Sequence, residues 1–170
     1  EQAGYGQYEI SNFAKPGFRS RHNCKYWLTR PYIGFGPGAH SDFGGRRYSF
    51  LRDLEGYIRG VLEGGAIVDE DDVIPQRERS GEYLMLRLRT THGIEEWEYR
   101  REYFMNFEPI EQKLIQFEQQ GLACRCGRRW RFTPEGFLVS NQLIGALLDV
   151  QESATLESTL SRVRGGEMAS

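Results

Sequence analysis

His22-Asn23-Cys24-Lys25-Tyr26-Trp27, followed by Tyr32-Ile33-Gly34-Phe35-Gly36-Pro37-Gly38-Ala39-His40-Ser41, gathers two histidines, an asparagine, four aromatics and three glycines into one short run. A packed core needs no such mixture. Glycines let a ligand approach the backbone closely, and imidazole and amide groups beside them supply polar contacts, so the run reads as a binding site.

Working upstream, residues 8–13 alternate and are rich in aromatic and β-branched side chains, which predicts a strand. Ala14-Lys15-Pro16-Gly17 ends it with turn chemistry. Ser20 is placed to cap a short helix reaching Leu28, on which His22 and Tyr26 fall four apart on one face, with Asn23 and Trp27 on the neighbouring face. Pro31 closes that helix. Residues 32–35 read as another strand ending in the glycine run, and residues 50–63 as an amphipathic helix stopped by Gly64-Gly65. Strand, helix, strand, helix predicts the end of a parallel α/β sheet or barrel.

Downstream, Asp69-Glu70-Asp71-Asp72 reads as an acidic linker. A helix is expected over 77–89, with Leu84, Leu88 and the adjacent Met85 on its apolar side. A short helix follows over 95–103 after the Gly93-Ile94 turn. A third covers 109–120, with Ile110, Leu114 and Phe117 as its stripe and Gly121 as its stop. Residues 122–133 predict a hairpin around Gly127-Arg128. Leu122, Cys124 and Cys126 are read as facing inward with Trp130 and Phe132, and Arg125 as facing out. Thr133 and Pro134 open a last helix whose stripe is Val139, Leu143, Leu147 and Val150. Helices, hairpin and final helix describe a small winged-helix-like α+β domain. Residues 151–170 are rich in Ser, Thr and Glu and read as a frayed tail. The expected divisions are 1–68, 69–150 and 151–170.

The chain has 170 residues, 39% of them hydrophobic, and a formal net charge of -2, so no bulk field points to nucleic acid or a membrane surface. No apolar run is long enough for a membrane-spanning helix. Three cysteines, Cys24, Cys124 and Cys126, make no disulfide framework, which predicts a reducing, cytoplasmic setting. The chain opens on Glu1 in mid-pattern and is expected to be a piece of something longer.

Each candidate site has two readings. Gly34, Gly36 and Gly38 form either a ligand-facing floor at the end of a strand or a tight strand-to-loop turn. His22 offers a neutral imidazole to a metal or porphyrin iron, or is a surface histidine of a helix. Tyr26 and Trp27 are ring-stacking walls or core. Cys124 and Cys126 lack the second pair that a zinc site uses, so a structural role is favoured. Arg125, Arg128, Arg129 and Arg131 suggest a nucleic-acid wing, but the helix beside them carries Glu111 and Glu118 against Lys113, a poor reader of a groove.

The run Tyr8-Glu9-Ile10-Ser11-Asn12-Phe13-Ala14-Lys15-Pro16-Gly17, then Ser20, His22-Asn23, Tyr26-Trp27, Tyr32, Gly34, Gly36 and Gly38-Ala39-His40-Ser41, closely resembles one family. It is that of the radical S-adenosylmethionine, oxygen-independent coproporphyrinogen III oxidases and their relatives, and the resemblance is nearest on the haem chaperone branch. Arg79, Glu82, Leu84-Met85-Leu86, Leu88-Arg89 and Gly93-Ile94 resemble the opening of that family's C-terminal domain; Gly121-Leu122 and Leu138-Val139-Ser140 resemble its close.

The resemblance implies the last strands and helices of a partial TIM-like barrel, followed by the small C-terminal domain. It implies haem binding through His22, as iron ligand, with Asn23 and Tyr26, and delivery of haem to haem proteins such as respiratory membrane enzymes. It places Ala14 and His40 near S-adenosylmethionine. In the family a [4Fe-4S] cluster sits on a C-x-x-x-C-x-x-C loop, which this chain lacks, so radical chemistry is not expected of it alone. The alternatives are a genuine oxidase that decarboxylates propionates, and, in another class, a winged-helix module for nucleic acid or protein.

Overall fold

The computed structural model describes residues 3–167, with side-chain surroundings through Thr155. The chain begins with a hairpin, β1 (Gly6–Glu9) and β2 (Asn12–Ala14), where one strand was expected. The Glu9 carboxylate accepts hydrogen bonds from the Ser11 amide and the Asn12 side chain, and these fold the turn. Helix α1 (Arg21–Trp27) follows, capped by Ser20 as expected.

The strand expected over 32–35 does not form. Tyr32 makes a single bridge, exchanging backbone hydrogen bonds of 2.8 and 2.9 Å with Asp42, and the glycine run then turns the chain. It leads into a second hairpin, β3 (His40–Phe43) and β4 (Arg46–Phe50), around Gly44-Gly45. Both glycines have positive φ, 62° and 81°, as a two-residue hairpin turn of this hand requires. Helix α2 (Leu54–Glu63) starts later than its apolar periodicity suggests, because Asp53 caps it by accepting from the Gly56 amide at 2.6 Å. Gly64, at φ 69°, ends it as read.

The acidic segment is not a linker but strand β5 (Val68–Val73), antiparallel to β4. Arg46 of β4 holds both carboxylate oxygens of Asp71, at 2.7 and 2.8 Å, so charge that reads as solvated in sequence is matched across the ladder. All strand pairs among the described residues are antiparallel, so the parallel sheet anticipated from the strand–helix alternation is absent from them. Where two-residue turns join the strands, in β1–β2, β3–β4 and β7–β8, they leave no room for the crossover that parallel pairing needs.

The second half matches its sequence reading closely. Helix α3 (Gln76–Arg87), strand β6 (Ile94–Glu95), helix α4 (Glu96–Tyr103) and helix α5 (Glu108–Gln119) lead to the hairpin β7 (Ala123–Cys126) and β8 (Arg129–Phe132). The short β6 pairs with β8, giving the order β6-β8-β7. Gly93 is required there, because a Cβ would strike the Trp130 carbonyl. Trp130 and Phe132 of β8 face inward as expected, but the faces of β7 are the reverse of those expected. Ala123, buried, lies opposite Phe132, and Arg125 lies opposite Trp130 with its guanidinium over the indole at 5.5 Å. Cys124 and Cys126 therefore fall on the outer face, since a shift of one residue flips every side chain.

Thr133 caps helix α6 (Pro134–Leu138), but the helix breaks at Val139, and α7 (Ser140–Glu167) starts afresh. Leu143, Ile144 and Leu147 of α7 are buried; Val139 and Val150 are only partly so. The segment expected to fray from residue 151 continues this helix to Glu167, with Gln151 buried; residues 168–170 lie outside the described part. Gln151 donates to the Ser80 and Tyr99 hydroxyls, each at 2.6 Å, which anchors the helix across the core.

The core lies between Tyr83 and Leu147, where α3, α4, α5, α7 and the three-stranded sheet bury their stripes. Before it, Tyr8 is the one buried apolar side chain among the described residues, and α2 leaves Leu54, Ile58, Val61 and Leu62 exposed. This first part is held to the second by backbone and charge. Ile10 donates to the Arg89 carbonyl and Thr91 to that of Tyr8, at 2.9 and 3.1 Å. Arg47 of β4 bridges Asp42 and Glu82, while Arg79 of α3 holds Asp42. No described helix is long and apolar enough to cross a membrane.

Candidate functional site

Helix α1 is short and buries no residue fully, so its position is set by its ends and by one inward side chain. At its start the Ser20 hydroxyl accepts from the Asn23 amide at 3.3 Å, and the Tyr8 hydroxyl accepts from the Ser20 amide at 3.4 Å. Trp27 turns inward beneath the Arg89 guanidinium, 5.7 Å from the indole centroid. This leaves His22 and Tyr26 on the exposed face, one turn apart, as their spacing predicts.

The Tyr26 hydroxyl lies 3.2 Å from His22 Nε2, and the two rings meet edge-on with centroids 5.1 Å apart. Tyr32 packs edge-on against Tyr26 at 4.7 Å, continuing the row of rings. The helix ends in a Schellman turn: Thr29 N–H donates to the Tyr26 carbonyl and Arg30 N–H to that of Lys25. Thr29 occupies the left-handed position at φ 52°, where glycine is usual and a β-branched side chain is strained.

Beyond Tyr26 opens a cavity of about 500 Å³ between α1, the β3–β4 hairpin, α3 and α4. Tyr26, Arg30, Tyr32, Arg47, Arg79 and the buried Tyr103 are among its lining residues. Its size is that of a small-molecule or cofactor site. Burial opposes ionisation of Asp42 there, but hydrogen bonds from Arg79 and Arg47 hold its carboxyl below the usual range. Burial pushes the Tyr103 phenol up to about 12, so it stays a neutral hydrogen-bonding group at physiological pH.

Other residues singled out in sequence lie elsewhere. Ala14, on β2, lines a separate open cavity of about 390 Å³ with Tyr5, Phe13, Lys15 and Phe18. Gly34 is pressed on the backbone of His40, which a Cβ would strike, and its amide donates to the Ser41 hydroxyl at 3.0 Å. Gly36 and Gly38 have φ of 101° and 69°, so each is required by the turn itself. His40 opens β3, exposed and opposite Ser49. Of the residues singled out in sequence, the structure places Tyr26 in the lining of this cavity, with His22 hydrogen-bonded to it on the exposed face of α1, and leaves Asn23, Ala14, the glycines and His40 outside that lining.

Sequence reading missed Tyr32, Arg47 and Arg79 as cavity residues. They are brought together by the β3–β4 hairpin and α3, and the signal that existed was the acidic partner of each arginine. It also missed Thr29-Arg30 ahead of Pro31, a helix stop with the αL position filled by threonine.

All three cysteines are free: Cys24 and Cys124 are half-buried and Cys126 is exposed. Among the described residues no group of three or more His, Cys, Asp or Glu side chains is placed to hold a metal ion. With one thiol on α1 and two on β7, the donor set does not fit an iron–sulfur cluster, which takes Cys ligands in close sequence spacing.

No known protein-family profile matches the chain. It is 32% identical over 149 residues to the haem chaperone HemW of Bacillus subtilis, covering 87% of this chain and 39% of that protein. It is 31% identical over 147 residues to HemW of Escherichia coli, covering 86% of this chain and 39% of that one. A mitochondrial protein of Bos taurus, radical S-adenosyl methionine domain-containing protein 1, is 31% identical over 182 residues, 97% of this chain and 40% of that protein. The chain therefore spans about two fifths of the length of these relatives. Among solved structures it superposes on the radical SAM enzyme coproporphyrinogen III oxidase, HemN, of Escherichia coli with a TM-score of 0.63. That match covers 86% of this chain and 37% of the oxidase at 15% identity, a likeness of fold.

Proposed function

This chain is a homologue of the haem chaperones in the radical S-adenosylmethionine, coproporphyrinogen III oxidase-like family, and from that kinship we propose that it binds haem for transfer to haem proteins. The observation that carries the reading is the exposed His22–Tyr26 pair, whose Tyr26 lines the arginine- and tyrosine-containing cavity. Imidazole is a common axial ligand of haem iron, and a hydrogen-bonding partner at one ring nitrogen orients the other toward a metal. In this reading His22 ligates the iron, Tyr26 fixes its ring, and Asn23 holds the start of the helix.

The balance between chaperone and oxidase follows the comparisons. The chaperones are 31–32% identical to this chain and the oxidase 15%. For the nucleic-acid alternative, the hairpin arginines count against a free basic wing: Arg125 is tied to Glu111, and Arg129 to Glu95 and Glu98.

The family's cluster and S-adenosylmethionine belong in this proposal to residues other than this chain's thiols, and no radical step is assigned to it. Ala14 and His40 are read as facing S-adenosylmethionine in the whole barrel, with Gly34, Gly36 and Gly38 shaping the loop between. The three-helix and hairpin half is read as the winged-helix-like C-terminal domain. The recipients are haem proteins, respiratory membrane enzymes among them, and the setting is cytoplasmic.

The test is a haem titration of the full chain followed at the Soret band. Binding that disappears in His22→Ala, and weakens or shifts in Tyr26→Phe, is the expected result. Equal binding by wild type and His22→Ala would remove the role from His22.

A further inference from the structure

The cavity beside α1 holds three arginines, and they are not equivalent. Arg47 is committed to Glu82 and Asp42, at 2.7 and 2.9 Å, and Arg79 to Asp42 at 3.0 Å. The third carboxylate of the lining, Glu102, has Arg101 at 3.3 Å. Every carboxylate facing the cavity therefore has its own arginine. Arg30 lines the same cavity, is exposed, and has no carboxylate within salt-bridge distance among the described residues. It is the guanidinium there left with its charge unanswered.

Its backbone is held where it is. Arg30 N–H closes the Schellman turn on Lys25, and the left-handed Thr29 before it and Pro31 after it restrict the chain on both sides. The Thr29 hydroxyl donates to the Leu28 carbonyl at 2.7 Å, and Thr29 lines the cavity together with Arg30. Backbone strain kept at a cavity mouth is a mark of a positioned site. A planar guanidinium is matched to a carboxylate, which it can take in two parallel hydrogen bonds.

We propose that Arg30 is the ligand-anchoring cation of this cavity, and that it takes a carboxylate of the bound molecule, a propionate if that molecule is haem. The inference rests on the haem reading above for the ligand's identity, and on the charge pairing of the cavity for the anchor. Tyr26, near the end of α1, and Arg30, just past its C-terminal turn, both line the cavity and then hold two ends of one ligand: the iron through His22, and the acid edge through Arg30.

Three probes separate the anchor from the iron site: ferric protoporphyrin, its dimethyl ester, and metal-free protoporphyrin, each titrated into the full chain and into Arg30→Gln. Wild type should prefer the free acid to the ester by about tenfold, a difference of one charge-assisted contact. Arg30→Gln should lose that preference while keeping the Soret position set by His22. A preference that survives in Arg30→Gln, or no preference in wild type, overturns the anchor and leaves the haem reading standing. If ferric protoporphyrin fails to bind, the haem reading falls, and the metal-free diacid decides the anchor by itself. Binding weakened about tenfold by Arg30→Gln supports it; absent or unaltered binding overturns it.

Discussion

Arg47 on β4 places one guanidinium nitrogen 2.7 Å from Glu82 on α3 and another 2.9 Å from Asp42 on β3, residues 35 and 5 positions away. This one side chain lines the cavity and ties the β3–β4 hairpin to α3 of the helical core. Glu82→Gln should therefore loosen the first half more than the second. The pair is about a quarter to a third exposed, so solvent screens it, and the expected loss of stability is about 1 kcal/mol. Hydrogen exchange should show faster opening of β3 and β4 with little change in α5 and α7. Uniform loss of protection would mean that the charge network is not what joins the halves.

Thr29 is the residue to test for strain. A β-branched side chain in the left-handed region costs roughly 1–2 kcal/mol relative to glycine, partly offset by the entropy glycine loses on folding. Thr29→Gly should raise the urea midpoint, a gain of about 1 kcal/mol in unfolding free energy. A lower midpoint would show that the hydroxyl's bond to the Leu28 carbonyl outweighs the strain.

Acid should act on the second half through Glu98. Burial alone would raise its pKa. Two hydrogen bonds from Arg129 and one from Tyr83, with the nearby charge of Arg87, outweigh this and hold it at about 2, against 4.5 for a free glutamate. A carboxyl depressed by folding stabilises the native state fully above its unfolded value, and that contribution is lost as pH falls from near 4.5 toward 2. The Glu98→Gln variant should have a flatter stability profile over that window, measured by urea denaturation at successive pH values. An unchanged acid slope would move the effect to other carboxylates.

Gln151 tests whether the helix beyond residue 150 belongs to the fold. Its amide bonds two hydroxyls in the interior, so Gln151→Ala strands buried polar groups and should cost about 1–3 kcal/mol. A change within about 0.5 kcal/mol, the usual surface effect, would mark the segment as peripheral.

What the sequence determined by itself is what depends on near neighbours. The stripes of α3 and α5, the Ser20 and Thr133 caps, the Gly64 stop and the turn at Gly127 each arise within about one or two helical turns of chain, and each was legible. So was the pairing of His22 with Tyr26, because four residues is one turn of helix. What only the tertiary structure decided is what depends on distant partners. Asp69 to Asp72 look like a solvated linker until Arg46 and its ladder are placed beside them. Which face of β7 is inward turned on a register of one residue, and Gln151 became a core residue only because Ser80 and Tyr99 are opposite it. The cavity is of the same kind. Tyr26, Arg30, Arg47 and Arg79 have no common periodicity, and long-range charge pairing alone sets which arginine is left for a ligand.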